Sequence, residues 1–204
     1  GYYGLPDSFR ELLLVQFAPQ VLAYIVLGLW ATRATQVTIQ LGLEKEKIRS
    51  GLQWGILTGL FLGSLNTFVI LAVYPHLGYD ITFLKQTPHG RLPVLLMVPW
   101  LICGIALFVE VNFRGFLLGR LAELESHWGK ATSRPALLAL AVSSLTFAFD
   151  PFMVNTFQHL HWIALWDGLI WGMIWLRTRN LWITIVAHAV EVIVMYSAVR
   201  TVIG

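Results

Sequence analysis

The sequence predicts an all-α integral membrane protein, a polytopic bundle of about six transmembrane helices. Two observations support this fold class: 57% of the residues are hydrophobic while only 12% are charged, and the mean hydropathy is +0.69. A soluble chain of 204 residues has too little interior volume to bury that much apolar surface. We therefore expect a lipid bilayer to be the solvent for most of the chain.

Six apolar runs are long enough, or nearly long enough, to cross a bilayer as helices. A full crossing takes about 17 to 25 residues, and the fourth and fifth runs are shorter, as segments that border a cavity often are. No repeat or low-complexity linker separates the runs, so we expect a single integral membrane domain over residues 1–204. The N-terminal stretch lacks a basic region and a small-residue cleavage site, so we expect the first helix to be retained. The six expected spans are Glu11–Ala31, Leu52–Tyr74, Leu92–Leu118, Pro135–Phe149, Trp162–Leu176 and Asn180–Val199.

Basic residues predict the topology through the positive-inside rule, by which most Lys and Arg lie on the cytoplasmic side. The first, third and fifth loops carry ten of the fourteen Lys and Arg residues, and the opposite side carries four. Both termini are therefore expected outside, and the scattered basic residues form no face of the kind that binds nucleic acid. The ten are Arg33, Lys45, Lys47, Arg49, Arg114, Arg120, Lys130, Arg134, Arg177 and Arg179; the four are Arg10, Lys85, Arg91 and Arg200.

A few ionisable residues lie inside the apolar runs, where a charge costs about 2.5 to 3.5 kcal/mol on insertion scales. Glu110 and Arg114 are four residues apart, the spacing that lets an acid and a base on one helix neutralise each other. His188 and Glu191 are three apart and also share a helix face, which favours a local hydrogen bond. Each residue of this set indicates either a structural pair or a functional site. The set is Glu110, Arg114, Asp150, Asp167, His188 and Glu191.

The histidines allow two further interpretations, a metal site or an axial ligand to a tetrapyrrole. His188 is the single histidine of its apolar run, whereas a protein-bound metal ion usually has three or more protein ligands. His159 and His161 lie in the fourth loop and would point to the same side if that loop were extended. Motifs typical of common soluble hydrolases and nucleotide-binding enzymes are missing from the sequence.

Three segments resemble a known family: VEVNFRGFLLGRL, SSLTFAF and DGLIWGMIWLRTRNLWITIVAHAV. Their order and spacing are similar to those of the CPBP intramembrane proteases, also called the Abi or CAAX prenyl protease family, over roughly residues 52–196. The resemblance implies a helical membrane core and, for an active member, endopeptidase activity on membrane-anchored or lipidated peptides. We expect the protein in the bacterial cytoplasmic membrane.

The family pattern has a pair of glutamates followed after three residues by an arginine, then a phenylalanine with a histidine four residues later. A last histidine follows, with Asn or Asp four residues after it. In the family, the first glutamate and the middle histidine are taken to activate water, while the last histidine and its partner stabilise the oxyanion. Here Glu110 and Arg114 match the second glutamate and the arginine, Phe147 matches the phenylalanine, and His188 matches the last histidine.

Three functional positions of this pattern are vacant in the sequence. Val109 replaces the first glutamate, Pro151 replaces the water-activating histidine, and Val192 replaces the partner of the last histidine. A carboxylate stands one residue from each vacancy, and a bulge in the helix could redirect it. An ionised carboxylate is nevertheless a poor substitute for an amide donor because it carries no proton. These three neighbouring carboxylates are Glu110, Asp150 and Glu191.

Three functions remain open at this point. The resemblance with vacant positions favours a catalytically degenerate member, a pseudoprotease without a cofactor, whose partners are the lipid bilayer and other subunits of a membrane complex. An active endopeptidase would use a rearranged site with Glu110 and His188, with or without a metal ion. A tetrapyrrole-associated subunit would use His188, His159 or His161 as an axial ligand.

Overall fold

The computed structural model describes residues 4–10, 12–87, 92–128 and 136–203. Every regular element in these ranges is helical, which confirms the all-α fold class. Three stretches have the wider π-helical hydrogen bonding, from residue i to i+5; they are Val69–Val73, Met97–Ile102 and Val111–Leu118. The α-helices are α1 Asp7–Arg10, α2 Leu13–Ala31, α3 Val37–Leu41, α4 Ile48–Phe68, α5 Tyr74–His76, α6 Val94–Leu96, α7 Cys103–Glu110, α8 Gly119–Trp128, α9 Leu137–Ala148, α10 Pro151–Phe157, α11 Ile163–Thr178 and α12 Leu181–Ile203.

Four helical stretches among the described residues are long and apolar enough to cross a membrane, and a fifth candidate is bent. The bent candidate consists of Leu137–Ala148 and Pro151–Leu160, whose axes differ by 51°. Helix α11 lies at the expected fifth span but has 16 residues, about 24 Å at 1.5 Å per residue, against a hydrocarbon core of about 30 Å. The described residues thus provide four or five full spans and one shorter apolar helix. The four candidates other than the bent pair are Leu14–Ala31, Val37–His76, Val94–His127 and Leu181–Val202.

Several positions used in the sequence prediction lie outside the described residues. They include the expected starts of two spans, Glu11 and Pro135. Three basic residues of the positive-inside count, Arg91, Lys130 and Arg134, lie outside as well. For these five residues the expectations from the sequence stay predictions.

The chain divides into two compact units, each formed from two stretches of sequence. The first unit comprises Gly1–Leu41 and Asn112–Met173. Within it the helix breaks between α9 and α10 because Pro151 occupies the first turn of α10 and disfavours helical geometry at the residue before it. Asp150 accordingly has extended backbone angles, φ −59° and ψ 136°, and its side chain accepts a hydrogen bond from the Phe152 N–H. Asp150 is thus the N-cap of α10.

The second unit comprises Gly42–Val111 and Ile174–Gly204, and its main contact is the packing of α4 against α12. Glycines at every fourth position of α4 allow the two backbones to approach closely, as small residues do in membrane helix pairs. A Cβ atom added to Gly59 would lie 2.6 Å from the backbone oxygen of Ala187 and 2.7 Å from the Cβ of Val190. The four glycines, all buried, are Gly51, Gly55, Gly59 and Gly63.

Candidate functional site

In the second unit, Glu110 and His188 form a buried acid–imidazole pair. Glu110 is the last residue of α7, and its Oε1 atom lies 3.0 Å from Nδ1 of His188 on α12. The Glu110 side chain is 0% exposed and the His188 side chain is 12% exposed, so water screens the contact little. An ionised Glu110 only accepts hydrogen bonds, so the tautomer of His188 that satisfies this contact is the one that donates from Nδ1.

Glu191, one turn further along α12, contacts α4. The Asn66 side chain donates from Nδ2 to Oε1 of Glu191 at 2.6 Å, and both residues are buried. The contact lies beside Gly63, where an added Cβ would be 3.0 Å from the Cα of Glu191. Lipid tails cannot form hydrogen bonds, so the Asn66 amide and the Glu191 carboxylate each provide the hydrogen-bonding partner that the other needs.

Asn66 is a site residue that spacing along the sequence does not identify. The spacing of three residues predicted a local hydrogen bond between His188 and Glu191, and the contacts described above add Glu110 as a partner of His188 and Asn66 as a partner of Glu191. The available signal was an uncharged amide within the apolar run LFLGSLNTFVI. Asparagine is costly in hydrocarbon without a hydrogen-bonding partner, so this residue alone indicated a polar partner on another helix.

The three vacant family positions hold packed apolar side chains. Val192 packs against an apolar cluster that includes the buried residues Met97 and Ile102. Val109 on α7 and Pro151 at the start of α10 are both buried. Hydrocarbon side chains have no hydrogen-bonding atoms, so none of the three can hold or polarise a water molecule.

In the first unit, Arg114 lies among aromatic rings. It belongs to the π-helical stretch Val111–Leu118 and is 1% exposed. Its guanidinium carbon lies 4.2 Å from the centroid of the Phe147 ring and 5.3 Å from that of Trp171. A planar cation over aromatic faces is stabilised when both are shielded from water. The arginine and the phenylalanine that match the family pattern are therefore in direct contact.

Asp150 is held by two hydrogen bonds in the same unit. Besides the Phe152 N–H at 3.0 Å, its Oδ1 atom accepts a hydrogen bond from Nε2 of Gln20 at 3.0 Å. Gln20 lies on α2, and both side chains are buried. The carboxylate thus fixes the break between α9 and α10 and joins it to the first span. Gln20 is a partner that spacing along the sequence does not identify, and it is one of two glutamines in the first apolar run, with Gln16.

The loop histidines do not have the geometry expected of an extended loop. Gln158–Leu160 is a turn of 3₁₀-helix, and His161 follows it with helical backbone angles. At three residues per turn, positions two apart differ by about 240° in direction, so His159 and His161 do not point to the same side. His161 instead contacts the backbone oxygen of Gln158 through Nδ1 and packs edge-on against Phe149.

A metal ion does not fit the side chains that the structure describes. Within residues 4–10, 12–87, 92–128 and 136–203, no three His, Cys, Asp or Glu side chains come close enough together to hold one. Catalytic zinc sites use about three protein ligands, and the second unit offers a glutamate–histidine pair and a glutamate–asparagine pair. These pairs lack the required set of donors.

Comparison with known proteins places the motifs within one family. No curated protein and no solved structure matches the chain. A family model described as type II CAAX prenyl endopeptidase Rce1-like matches residues 91–194, just over half of the chain. The matched range includes every family position discussed above, from Val109 to Val192, and confirms the resemblance indicated by the motifs. The chain therefore belongs to the Rce1-like family of type II CAAX prenyl endopeptidases.

Proposed function

We propose that this chain is a catalytically degenerate family member, a pseudoprotease that acts as a scaffold or accessory subunit of a membrane complex. One observation carries the proposal: each carboxylate that stands beside a vacant family position already has a structural partner. Glu110 contacts His188, Asp150 accepts hydrogen bonds from Gln20 and Phe152, and Glu191 accepts one from Asn66.

Peptide hydrolysis needs a base that activates water and donors aimed at the developing oxyanion. To replace the missing groups, Asp150 and Glu191 would have to leave their present partners, and a buried polar group left without a partner costs about 1 to 3 kcal/mol. On the oxyanion side, Val192 packs in an apolar cluster, so His188 is the remaining family residue there. The energetic cost of moving these carboxylates and the absence of the family side chain at Val192 support a scaffold role over catalysis.

The proposed partners are the bilayer and other membrane subunits. Large apolar side chains are exposed on the spans, for example Leu14 at 87% and Phe61 at 69%. Exposed apolar residues on membrane helices contact lipid tails or the helices of a neighbouring subunit. An accessory subunit needs such surfaces to bind its partners, and it does not need catalytic activity.

The test is to purify the full chain from its native membrane with its associated proteins and to screen it against membrane-anchored and prenylated peptides. We expect co-purifying membrane subunits and no cleavage above that of the Glu110→Ala variant. The exposed acid Glu46 provides a matched control, Glu46→Ala. Cleavage by the wild type and by Glu46→Ala, but not by Glu110→Ala or His188→Ala, refutes the scaffold proposal.

The Glu110–His188 pair favours a second candidate, an active intramembrane endopeptidase with a rearranged site. A buried carboxylate that holds the proton of Nδ1 makes Nε2 the basic nitrogen of a neutral imidazole, and such a nitrogen can take a proton from an attacking water. The substrate class would be a membrane-anchored or lipidated peptide. In the same screen this candidate requires that Glu110→Gln and His188→Gln each abolish cleavage.

We also propose that the protein lies in the bacterial cytoplasmic membrane, with both ends of residues 1–204 outside. The support is the distribution of Lys and Arg, ten in the odd-numbered loops and four on the other side. The 204 residues are proposed as one integral membrane domain, with a family-like core at about 52–196 that contains the matched range.

A further inference from the structure

Two loops of the second unit meet at one end of the α4–α12 pair. One precedes α4, and the other joins α11 to α12. Lys47 Nζ donates to the backbone oxygen of Arg179 at 2.9 Å, and Asn180 Nδ2 donates to the backbone oxygen of Lys47 at 3.1 Å. The Leu181 N–H donates to the backbone oxygen of Gly42 at 2.8 Å. These hydrogen bonds fix the two loops against each other.

The backbone of this junction has little freedom to rearrange. Gly42 and Arg179 both have left-handed angles, φ 81° and 48°, a conformation that glycine adopts readily and arginine adopts rarely. A Cβ added to Gly42 would lie 2.9 Å from the backbone oxygen of Arg179. Trp182 also donates from Nε1 to the backbone oxygen of Glu44 at 3.2 Å. The side chains at this junction therefore extend from a backbone that hydrogen bonds hold in one conformation.

Basic side chains dominate these two loops and the helix turns that flank them, and we call these bases the junction cluster. Five bases and two acids leave a net charge of +3. The Glu44 carboxylate is paired with Lys47 at 2.6 Å, which reduces its effect on an incoming anion. The bases Lys45, Arg49 and Arg177 are exposed. The junction cluster is Lys45, Lys47, Arg49, Arg177 and Arg179, and its acidic neighbours are Glu44 and Glu46.

Apolar surface begins directly beside the junction cluster. In the first two turns of α4, Leu52 is 47% exposed and Trp54 is 60% exposed. An exposed tryptophan at the end of a membrane helix is typical of the headgroup region. The Arg179 guanidinium carbon lies 4.5 Å from the centroid of the Trp175 ring, which anchors this base at the same end of the unit. Cationic groups and lipid-facing side chains are thus adjacent.

We propose that the junction cluster binds the phosphate of an anionic phospholipid, with the acyl chains along the exposed apolar side chains of α4. Groups of four to eight Lys and Arg next to the ends of membrane helices attract anionic lipids, and five are present here. Arginine and lysine both donate to phosphate oxygens. A lipid fits better than a soluble phosphate because the apolar surface beside the cluster accommodates its chains.

The test uses the purified full-length chain, delipidated and then mixed with equimolar phosphatidylglycerol and phosphatidylcholine in micelles. Native mass spectrometry counts the lipids that remain bound. The Lys45→Gln/Arg177→Gln variant removes one exposed base from the segment before α4 and one from the last turn of α11, and it leaves Lys47 and Arg179, which hold the junction. The matched control, Arg33→Gln/Lys85→Gln, removes two exposed bases outside the cluster and gives the same net charge.

We expect the wild type and the control to retain phosphatidylglycerol in preference to phosphatidylcholine. In the cluster variant, the ratio of bound phosphatidylglycerol to bound phosphatidylcholine should be about tenfold lower. Equal preference in the cluster variant and the control overturns the proposal, and so does an equal loss in both, because net charge alone would then explain retention. A third arm replaces the lipid with inorganic phosphate. Saturable phosphate binding that abolishes lipid retention would make the site one for a free anion and would also overturn it.

Discussion

Asp150 stands one residue before the position where related proteases carry a water-activating histidine, yet its contacts are those of a helix cap. Its Oδ1 atom accepts hydrogen bonds from the first turn of α10 and from Gln20. The sequence identified Asp150 as an unusual charge in an apolar run but could not identify Gln20. Helical spacing pairs residues within one helix, whereas these partners are 130 positions apart. The same limit hid Asn66, the partner of Glu191.

The cap predicts how substitutions at Asp150 affect stability. Asp150→Ala removes the acceptor of the Phe152 N–H and should lower the free energy of unfolding by about 1 kcal/mol, with a further loss from the unsatisfied Gln20 amide. Asp150→Asn keeps a side-chain oxygen for the cap and should retain most of the stability. Thermal unfolding in detergent measures both variants. A melting temperature as low for Asp150→Asn as for Asp150→Ala would contradict the cap.

At the scale of elements, hydropathy predicted the positions of the helices. It did not predict how the helices pack or which stretches are π-helical. The six expected spans coincide in position with helices of the described residues, of which four, or five with the bent pair, are long enough to cross a membrane. The bend near Asp150 follows from Pro151, a signal present in the sequence. The α4–α12 contact was not predicted, because hydropathy does not tell which helices meet, and the π-helical stretches were not predicted either.

The glycines of α4 give the second prediction, at the level of one helix pair. Gly59→Ala would put a Cβ 2.6 Å from the backbone oxygen of Ala187, and because backbone cannot move aside easily, the free energy of unfolding should fall by about 1 to 3 kcal/mol. Gly104 on α7 is the matched control, since a Cβ there has nothing within 4 Å.

Gly104→Ala should leave stability unchanged or raise it by about 0.5 to 1 kcal/mol, the usual gain from replacing a helical glycine by alanine. Both substitutions are measured by thermal unfolding in the same detergent. If Gly59→Ala and Gly104→Ala have the same melting temperature, close approach of α4 and α12 does not contribute to stability.

For the whole molecule, composition was sufficient to predict an all-α membrane protein, and three segments were sufficient to predict its family. Both follow from patterns that are local in the chain, and the family match confirms the second. The function of the individual site residues depends on contacts across the chain, such as that of Glu110 with His188, which are 78 positions apart. The sequence could propose these residues but not their partners.

The proposed topology is tested by labelling in intact bacteria. Cys103 is the single native cysteine, so Cys103→Ala gives a background for new ones. We expect a membrane-impermeant maleimide to label Lys85→Cys in intact cells, because the second loop is proposed outside. Lys45→Cys should react only after the cells are permeabilised. Both positions are exposed, so the reverse pattern would show the opposite orientation.

The buried contact between Asn66 and Glu191 also constrains how the protein is made. The two residues are 125 positions apart, and ribosomes add about 5 to 20 residues per second, so Asn66 is synthesised roughly 6 to 25 seconds before its acceptor. During that interval α4 carries an amide that lipid cannot satisfy. Biogenesis therefore requires a temporary hydrogen-bonding partner for α4, such as water or a polar groove in the insertion machinery, until α12 arrives.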